Sequence, residues 1–168
     1  TGDEEEKAPV ELNISAAASL KEVMTDLETE YKKSNENVIL VVNYGSSGSL
    51  QQQIEQGAPC DLFISAGQSQ INNLKEKGLL LDDTTKDLVE NSLVLVAANG
   101  VEISSLDDLK SDNVTHIAVG EPESVPAGKY ADEVLTNTGI KDSINDKLVF
   151  AKDVKEVLAW VASGNADV

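Results

Sequence analysis

The chain has 168 residues, 40% of them hydrophobic, with 13 lysines, no arginine and 30 acidic residues, giving a formal net charge of −17. Length and apolar content suit one globular domain or two small ones, while the negative balance repels nucleic acid and anionic lipid, so neither is an expected partner. No apolar run approaches the roughly 18 residues of a membrane span, and a single cysteine, Cys60, excludes an intramolecular disulfide.

The first eight residues, Thr1 to Ala8, are polar and acidic, and residues 1–10 are expected to form a disordered leader remaining after processing or tagging. Glu11 to Ser15 is a short predicted strand. Ser19 then occupies the place of an N-cap before Leu20, Val23, Met24, Leu27 and Tyr31 at helical spacing. Val38 to Val42 is an unbroken apolar run, the pattern of a strand covered on both faces and so of a parallel sheet. The turn Gly45 to Ser49 leads into a helix through Leu50 and Ile54 that stops at Gly57. Asp61 to Ser65 is a third strand, followed by Ala66-Gly67-Gln68 and a helix holding Ile71, Leu74 and Leu79. Three βα units in succession imply an α/β sheet with right-handed crossovers, whose ligands collect at the C-terminal ends of the strands.

Asn91 to Ala98 contains Leu93, Val94, Leu95 and Val96 and is expected to be the next strand, broken by Asn99-Gly100. The expected division is a first lobe over residues 11–92, a crossover strand over 93–98 and a second lobe over 99–168. Within the second lobe, Ser105 to Lys110 starts a short helix and Ile117 to Val119 is a strand. A long turn from Gly120 to Gly128 precedes the helix of Tyr130, Val134 and Leu135. Leu148 to Phe150 is another strand, and Val154 begins a last helix with Val157, Leu158, Trp160 and Val161. Ser163 to Val168 reads as a helix end plus the first residue of a further strand.

Two serine-rich turns, Ile14 to Leu20 and Tyr44 to Leu50, open straight into helices on the ligand-collecting edge. Helix starts present unclaimed N–H groups and the positive end of the macrodipole, and small residues let a ligand approach the main chain. Two such starts form one anion cage. With no arginine in the chain the cage is built from hydroxyls and amides, which suits a round oxyanion better than a planar carboxylate. The long-range field of the acidic chain opposes anion binding, but salt screens it over about 8 Å, so local donors decide.

Other chemistries fit less well. His116, the sole histidine, precedes a predicted strand, and neither serine turn has the glycine offsets of a hydrolase nucleophile elbow. Gly128-Lys129 lacks the first glycine and the hydroxyl residue of a phosphate-binding loop, with Glu123 and Tyr130 in those places. Asp82-Asp83 and Asp107-Asp108 do not have calcium-loop spacing. Cys60 reads as a small apolar residue, Lys21 as a solvated helix lysine, and Ser15, Ser46 and Ser49 as local structure.

From Leu12 to Val168 the order of these pieces resembles the molybdate-binding proteins of ABC transporters, within the two-lobed, type II periplasmic binding protein class. The resemblance is carried by Ala16-Ala17-Ala18-Ser19-Leu20, by Gly45-Ser46-Ser47-Gly48-Ser49-Leu50, and by Gly57-Ala58-Pro59-Cys60-Asp61-Leu62-Phe63-Ile64-Ser65-Ala66. It continues through Asn91 to Ala97, Val119-Gly120-Glu121-Pro122, Val125-Pro126-Ala127-Gly128 with Tyr130, and Asp153-Val154.

The resemblance implies two α/β lobes, each with a mostly parallel sheet, that capture a molybdate or tungstate dianion and deliver it to a membrane ABC transporter permease with its ATPase. It implies no enzyme activity, no cofactor, no cation-liganding residues and an extracytoplasmic location. The family's serine donors match Ser19 and Ser47, and its amide donors from the second lobe match Ala127 and Val154. Lobe closure is the signal the transporter reads, with a hinge near Asn91 to Ala98. A deprotonated dianion accepts hydrogen bonds at every oxygen, so neutral donors suffice. The alternatives are another tetrahedral oxyanion such as sulfate and, further off, a serine hydrolase. Family members run on past the position of Val168 to a closing tyrosine and a return to the first lobe. The chain is therefore expected to be C-terminally truncated, with an incomplete second lobe and uncovered apolar surface that favours self-association.

Overall fold

The computed structural model describes residues 8–168. The leader expected over residues 1–10 falls mostly on residues 1–7, outside the described residues, whereas Val10 already opens the first strand.

That strand, β1 (Val10–Ala17), is the centre of a three-stranded parallel sheet, between β2 (Val38–Gly45) and β3 (Leu62–Ile64). Its register runs from Val10 opposite Val38 to Ala17 opposite Gly45 on one side, and from Ile14 opposite Leu62 to Ala16 opposite Ile64 on the other. A 3-10 turn, Ala18–Leu20, and α1 (Lys21–Ser34) connect β1 to β2; α2 (Ser47–Glu55) connects β2 to β3, and α3 (Gln68–Glu76) follows. Gly57 ends α2 with φ +88°, a left-handed turn that glycine adopts without a Cβ clash. Ile14, Ala16 and Met24 form the centre of this core, with Leu40, Val42, Tyr44 and Ile64 against it. On the packed pair α2 and α3, Leu50 and Leu74 are fully buried, each contributing about 2 kcal/mol relative to an exposed leucine.

The apolar run in β2 is covered on one face only. Val38, Leu40 and Val42 are half-buried, whereas Ile39 and Val41 are 51% and 42% exposed. An edge strand alternates its side chains between a packed face and an open one, so an unbroken hydrophobic sequence does not by itself establish two covers. The outer stripe of α1, with Val23, Leu27 and Tyr31, is likewise exposed.

The second lobe has its own parallel pair, β4 (Ile117–Gly120) and β5 (Leu148–Ala151). Around it lie α4 (Pro126–Asn137), the short α5 (Lys141–Ile144) and α6 (Val154–Ala162), with a 3-10 turn at Leu106–Lys110. Ser105 and Asp108 close that turn with a capping box. Its main core gathers Leu109, Val114, Ile117, Leu135, Ile140, Ile144 and Val168, and a second cluster of Ala118, Val161 and Ala166 packs under Trp160. The Asp167 N–H donates to the His116 carbonyl at 2.9 Å, and the Ala118 N–H to the Val168 carbonyl at 2.7 Å. Asp167 and Val168 thus run along the free side of β4, as the first residues of a strand would.

Residues 93–98 depart from expectation. The segment forms no strand, and Leu93, Val94, Leu95 and Val96 are all exposed. Only the Ala98 N–H is held, by the Asp167 carbonyl at 2.8 Å. Apolar, β-branched composition favours a strand only where a neighbour completes the ladder, and among the described residues none pairs with this segment beyond the one contact at Ala98.

Candidate functional site

All five strands lead into helical turns, and four of these hold the predicted site residues: the Ala18–Leu20 turn after β1, α2 after β2, α4 after β4 and α6 after β5. These starts carry Ser19, Ser47, Ala127 and Val154 in that order. Across the seam between the lobes, the structure brings the turns that carry them into contact in two pairs. The Ser19 turn packs against α6, the helix that Val154 opens. At the other pair, the Gly48 N–H beside Ser47 donates to the Ser124 carbonyl at 3.0 Å, just ahead of the helix start that holds Ala127.

The serines of the second turn divide their work. Ser46 is the N-cap of α2: its hydroxyl accepts from the Ser49 N–H at 3.3 Å and donates to the Ser49 hydroxyl at 2.8 Å. Ser47 is completely buried, and its Oγ accepts from the Ala66 N–H at 2.9 Å. With that lone pair occupied, the Ser47 proton has no acceptor among the described residues and is available to donate. Ser19 is different. It lies exposed within the 3-10 turn and caps nothing, since Leu20 precedes α1 and makes no side-chain cap. The expected N-cap role of Ser19 is therefore not realised, because the tight turn moves the start of the α-helix one residue on, to Lys21 with Leu20 at the cap.

In the second lobe the donors are main-chain. Pro126 is the first residue of α4 and has no N–H, so the Ala127 amide is the first available donor of that helix. Asp153 caps α6 by accepting from the Glu156 N–H at 2.9 Å, and Glu156 returns to the Lys152 N–H at 2.9 Å. Both acceptors serve other amides, which leaves the Val154 N–H at the helix start unclaimed.

A salt bridge crosses the seam beside the first pair, where Lys155 Nζ donates to Glu22 Oε1 at 2.6 Å. That hydrogen bond and the lysine charge hold the Glu22 carboxyl below its usual range. Near the first sheet, burial pushes the Tyr44 phenol up, and the Glu28 carboxylate adds to the shift. Sequence reasoning missed Glu22, Lys155, Gly48 and the Ala66 amide. Gly48, between two serines in an anion-ready turn, carried a readable signal of close approach. The ion pair, 133 residues apart, carried none.

The remaining candidates sit elsewhere. His116 stands at the start of β4, the opposite edge from the four helix starts, and its ring meets Thr115 Oγ1 at 2.9 Å rather than a serine. Among the described residues no three His, Cys, Asp or Glu side chains are grouped to hold a metal ion, and no helix is long and apolar enough to cross a membrane. An open cleft of about 520 Å³ between α2, α3 and α4, lined by Gln51, Gln70, Asn73 and Lys129, includes none of the four predicted site residues.

Residues 12–168 match the profile of the bacterial extracellular solute-binding proteins. A Bacillus subtilis protein assigned as an ABC transporter substrate-binding lipoprotein is 41% identical over 98% of this chain and 63% of its own length. The molybdate-binding protein ModA of Escherichia coli is 40% identical over 92% of this chain and 62% of its own. Among solved structures, a substrate-binding domain attributed to a molybdenum ABC transporter of Clostridium difficile is 70% identical, with a TM-score of 0.65, over 94% of this chain and 69% of that one. The chain thus spans a little under two thirds of these two curated relatives. The paired α/β lobes, the ordered helix starts and these likenesses agree: the chain belongs to the bacterial extracellular solute-binding proteins.

Proposed function

We propose that the protein captures molybdate or tungstate outside the cytoplasm, between its two lobes, and presents it to a membrane ABC transporter. The observation that carries this reading is the contact across the seam between the turns that hold Ser19 and Ser47 and the helix starts of the second lobe, where the two hydroxyls and the amides of Ala127 and Val154 are the candidate donors. All four are neutral, and all are donors. A dianion with acceptors on every side matches them, while a protonated phosphate brings a hydrogen that needs an acceptor. The burial of Ser47 and the positive ends of the α4 and α6 dipoles strengthen the donors there, which lets the site overcome the repulsion of the acidic chain.

The names of the relatives support this choice of ligand, and the lipoprotein relative supports the location. Sulfate is the rival, with the same charge and shape and a smaller radius. Titration calorimetry of this chain with molybdate, tungstate, sulfate and phosphate separates them. The expected order places molybdate and tungstate well ahead of sulfate, with phosphate weakest. Tight sulfate binding with no heat from molybdate would overturn the assignment.

A further inference from the structure

Two glycines lie where the lobes approach each other closely, and neither has its own lobe's backbone as the main obstacle to a side chain. A Cβ on Gly48 would lie 2.6 Å from the Ser124 carbonyl oxygen and 2.8 Å from the Ser124 Cα, both main-chain atoms of the opposite lobe. A Cβ on Gly67 would come nearest to Gln70 Oε1 of its own lobe, the far end of a flexible side chain, and would lie 2.9 Å from Pro126 Cγ and 3.1 Å from Pro126 Cβ across the seam. Neither glycine needs its conformational freedom. Gly48 is inside the first turn of α2, where alanine is the better helix former, and Gly67 has φ −132° and ψ 138°, open to any residue.

The chemistry at these positions adjoins the proposed anion donors. Gly48 follows Ser47 in sequence, and its N–H bridges to Ser124. Gly67 follows Ala66, whose amide holds the Ser47 hydroxyl, and it packs on Pro126, the residue before Ala127. A methyl group on either would separate the Ser47 side of the seam from the Ala127 side.

We propose that Gly48 and Gly67 are positioning residues for oxyanion capture: by lacking side chains they let the lobes close far enough for Ser47 and Ala127 to reach one ion. This rests on the oxyanion reading above, and it assigns the closing distance to two residues that touch no ligand. Affinity then follows the population of the closed arrangement, since a ligand that needs a fraction of the molecules binds more weakly by that fraction.

The test compares wild type with Gly48→Ala and Gly67→Ala, each charge-neutral. Circular dichroism and thermal melting report folding, tungstate calorimetry reports affinity, and small-angle scattering with and without tungstate reports lobe separation. Both variants should fold as wild type does, bind tungstate about tenfold or more weakly, and keep a larger radius of gyration than wild type at saturating tungstate and without it. A glycine with a merely local role predicts unchanged affinity, and at Gly48 a more stable helix. Wild-type affinity and wild-type radius in either well-folded variant overturn the proposal. Should wild type itself bind no tungstate, the oxyanion reading fails, and the scattering comparison of the ligand-free proteins still decides the closing role: expanded variants uphold it, and equal radii refute it.

Discussion

The two serine turns look alike in sequence and differ in build. At Tyr44 to Leu50 a strand gives way directly to an α-helix, Ser46 caps it, and Ser47 is buried with its oxygen held by the Ala66 N–H. At Ile14 to Leu20 a 3-10 turn intervenes, no side chain caps the helix, and Ser19 stays exposed. One donor is oriented before any ligand arrives, and the other must be oriented by the ligand. Preorganised donors cost no reorganisation when charge arrives, so equal residues at matched positions should contribute unequally.

Ser47→Ala is therefore the largest expected effect. It removes a hydrogen bond to a charged group and also strands the Ala66 N–H. Tungstate affinity should fall by about 1.5–3 kcal/mol, with a loss of about 1 kcal/mol in folding stability from the unpaired amide. Ser19→Ala should weaken affinity by only about 0.5–1 kcal/mol, near the low end for a solvent-exchanging hydrogen bond, and leave stability unchanged. Calorimetry and denaturant unfolding of the two variants side by side measure the asymmetry. Equal losses at both positions would break the comparison, and a larger loss at Ser19 would invert it.

Ser46→Ala probes the other half of the contrast, the cap that only the second turn has. Loss of an N-cap serine costs about 1 kcal/mol, and Ser46 also orders the Ser49 hydroxyl. Folding stability should drop by that amount while tungstate affinity changes by less than for Ser47→Ala. If affinity falls as far as in Ser47→Ala with stability intact, Ser46 is a ligand donor and the assigned division of labour is wrong.

This contrast also shows what a sequence can reveal. The alternation of strands and helices was legible because each βα unit carries its own punctuation: Gly57 after α2, Pro126 at the start of α4, Asp153 before α6. The positions of Ser19, Ser47, Ala127 and Val154 at strand-to-helix turns were legible for the same reason. Residues 93–98 were misread because strand-forming composition says nothing of whether a neighbour is present, and β2 was misread because it says nothing of a second cover. Which serine caps and which donates depends on where the helix begins, to within one residue. Local propensity does not resolve that, and the Ala66 amide that decides it lies 19 residues away.

The smallest expected effect acts on the second lobe alone and serves as a control for both turns. Asp167 accepts from the His116 N–H at 2.9 Å, the Thr115 N–H at 2.7 Å and the Thr115 hydroxyl at 2.9 Å. The amides of His116 and Thr115, then the Thr115 hydroxyl, hold its pKa below the ordinary 3.8. A carboxyl whose folded pKa is depressed contributes stability that is complete well above the unfolded value and is lost as pH falls through the folded one. Asp167→Asn should therefore be less stable than wild type at pH 7, by a modest amount given partial solvent exposure, and the gap should close as pH drops below 3.8 toward the lowered value. Urea unfolding of both proteins across that range cancels the carboxylates they share. The substitution lies at the start of β4, away from the four helix starts, so the Ser47 to Ser19 asymmetry in tungstate affinity should persist in its background. A gap independent of pH would mean that the negative charge of Asp167 does not stabilise the lobe, and that its hydrogen bonds serve equally well with a neutral acceptor.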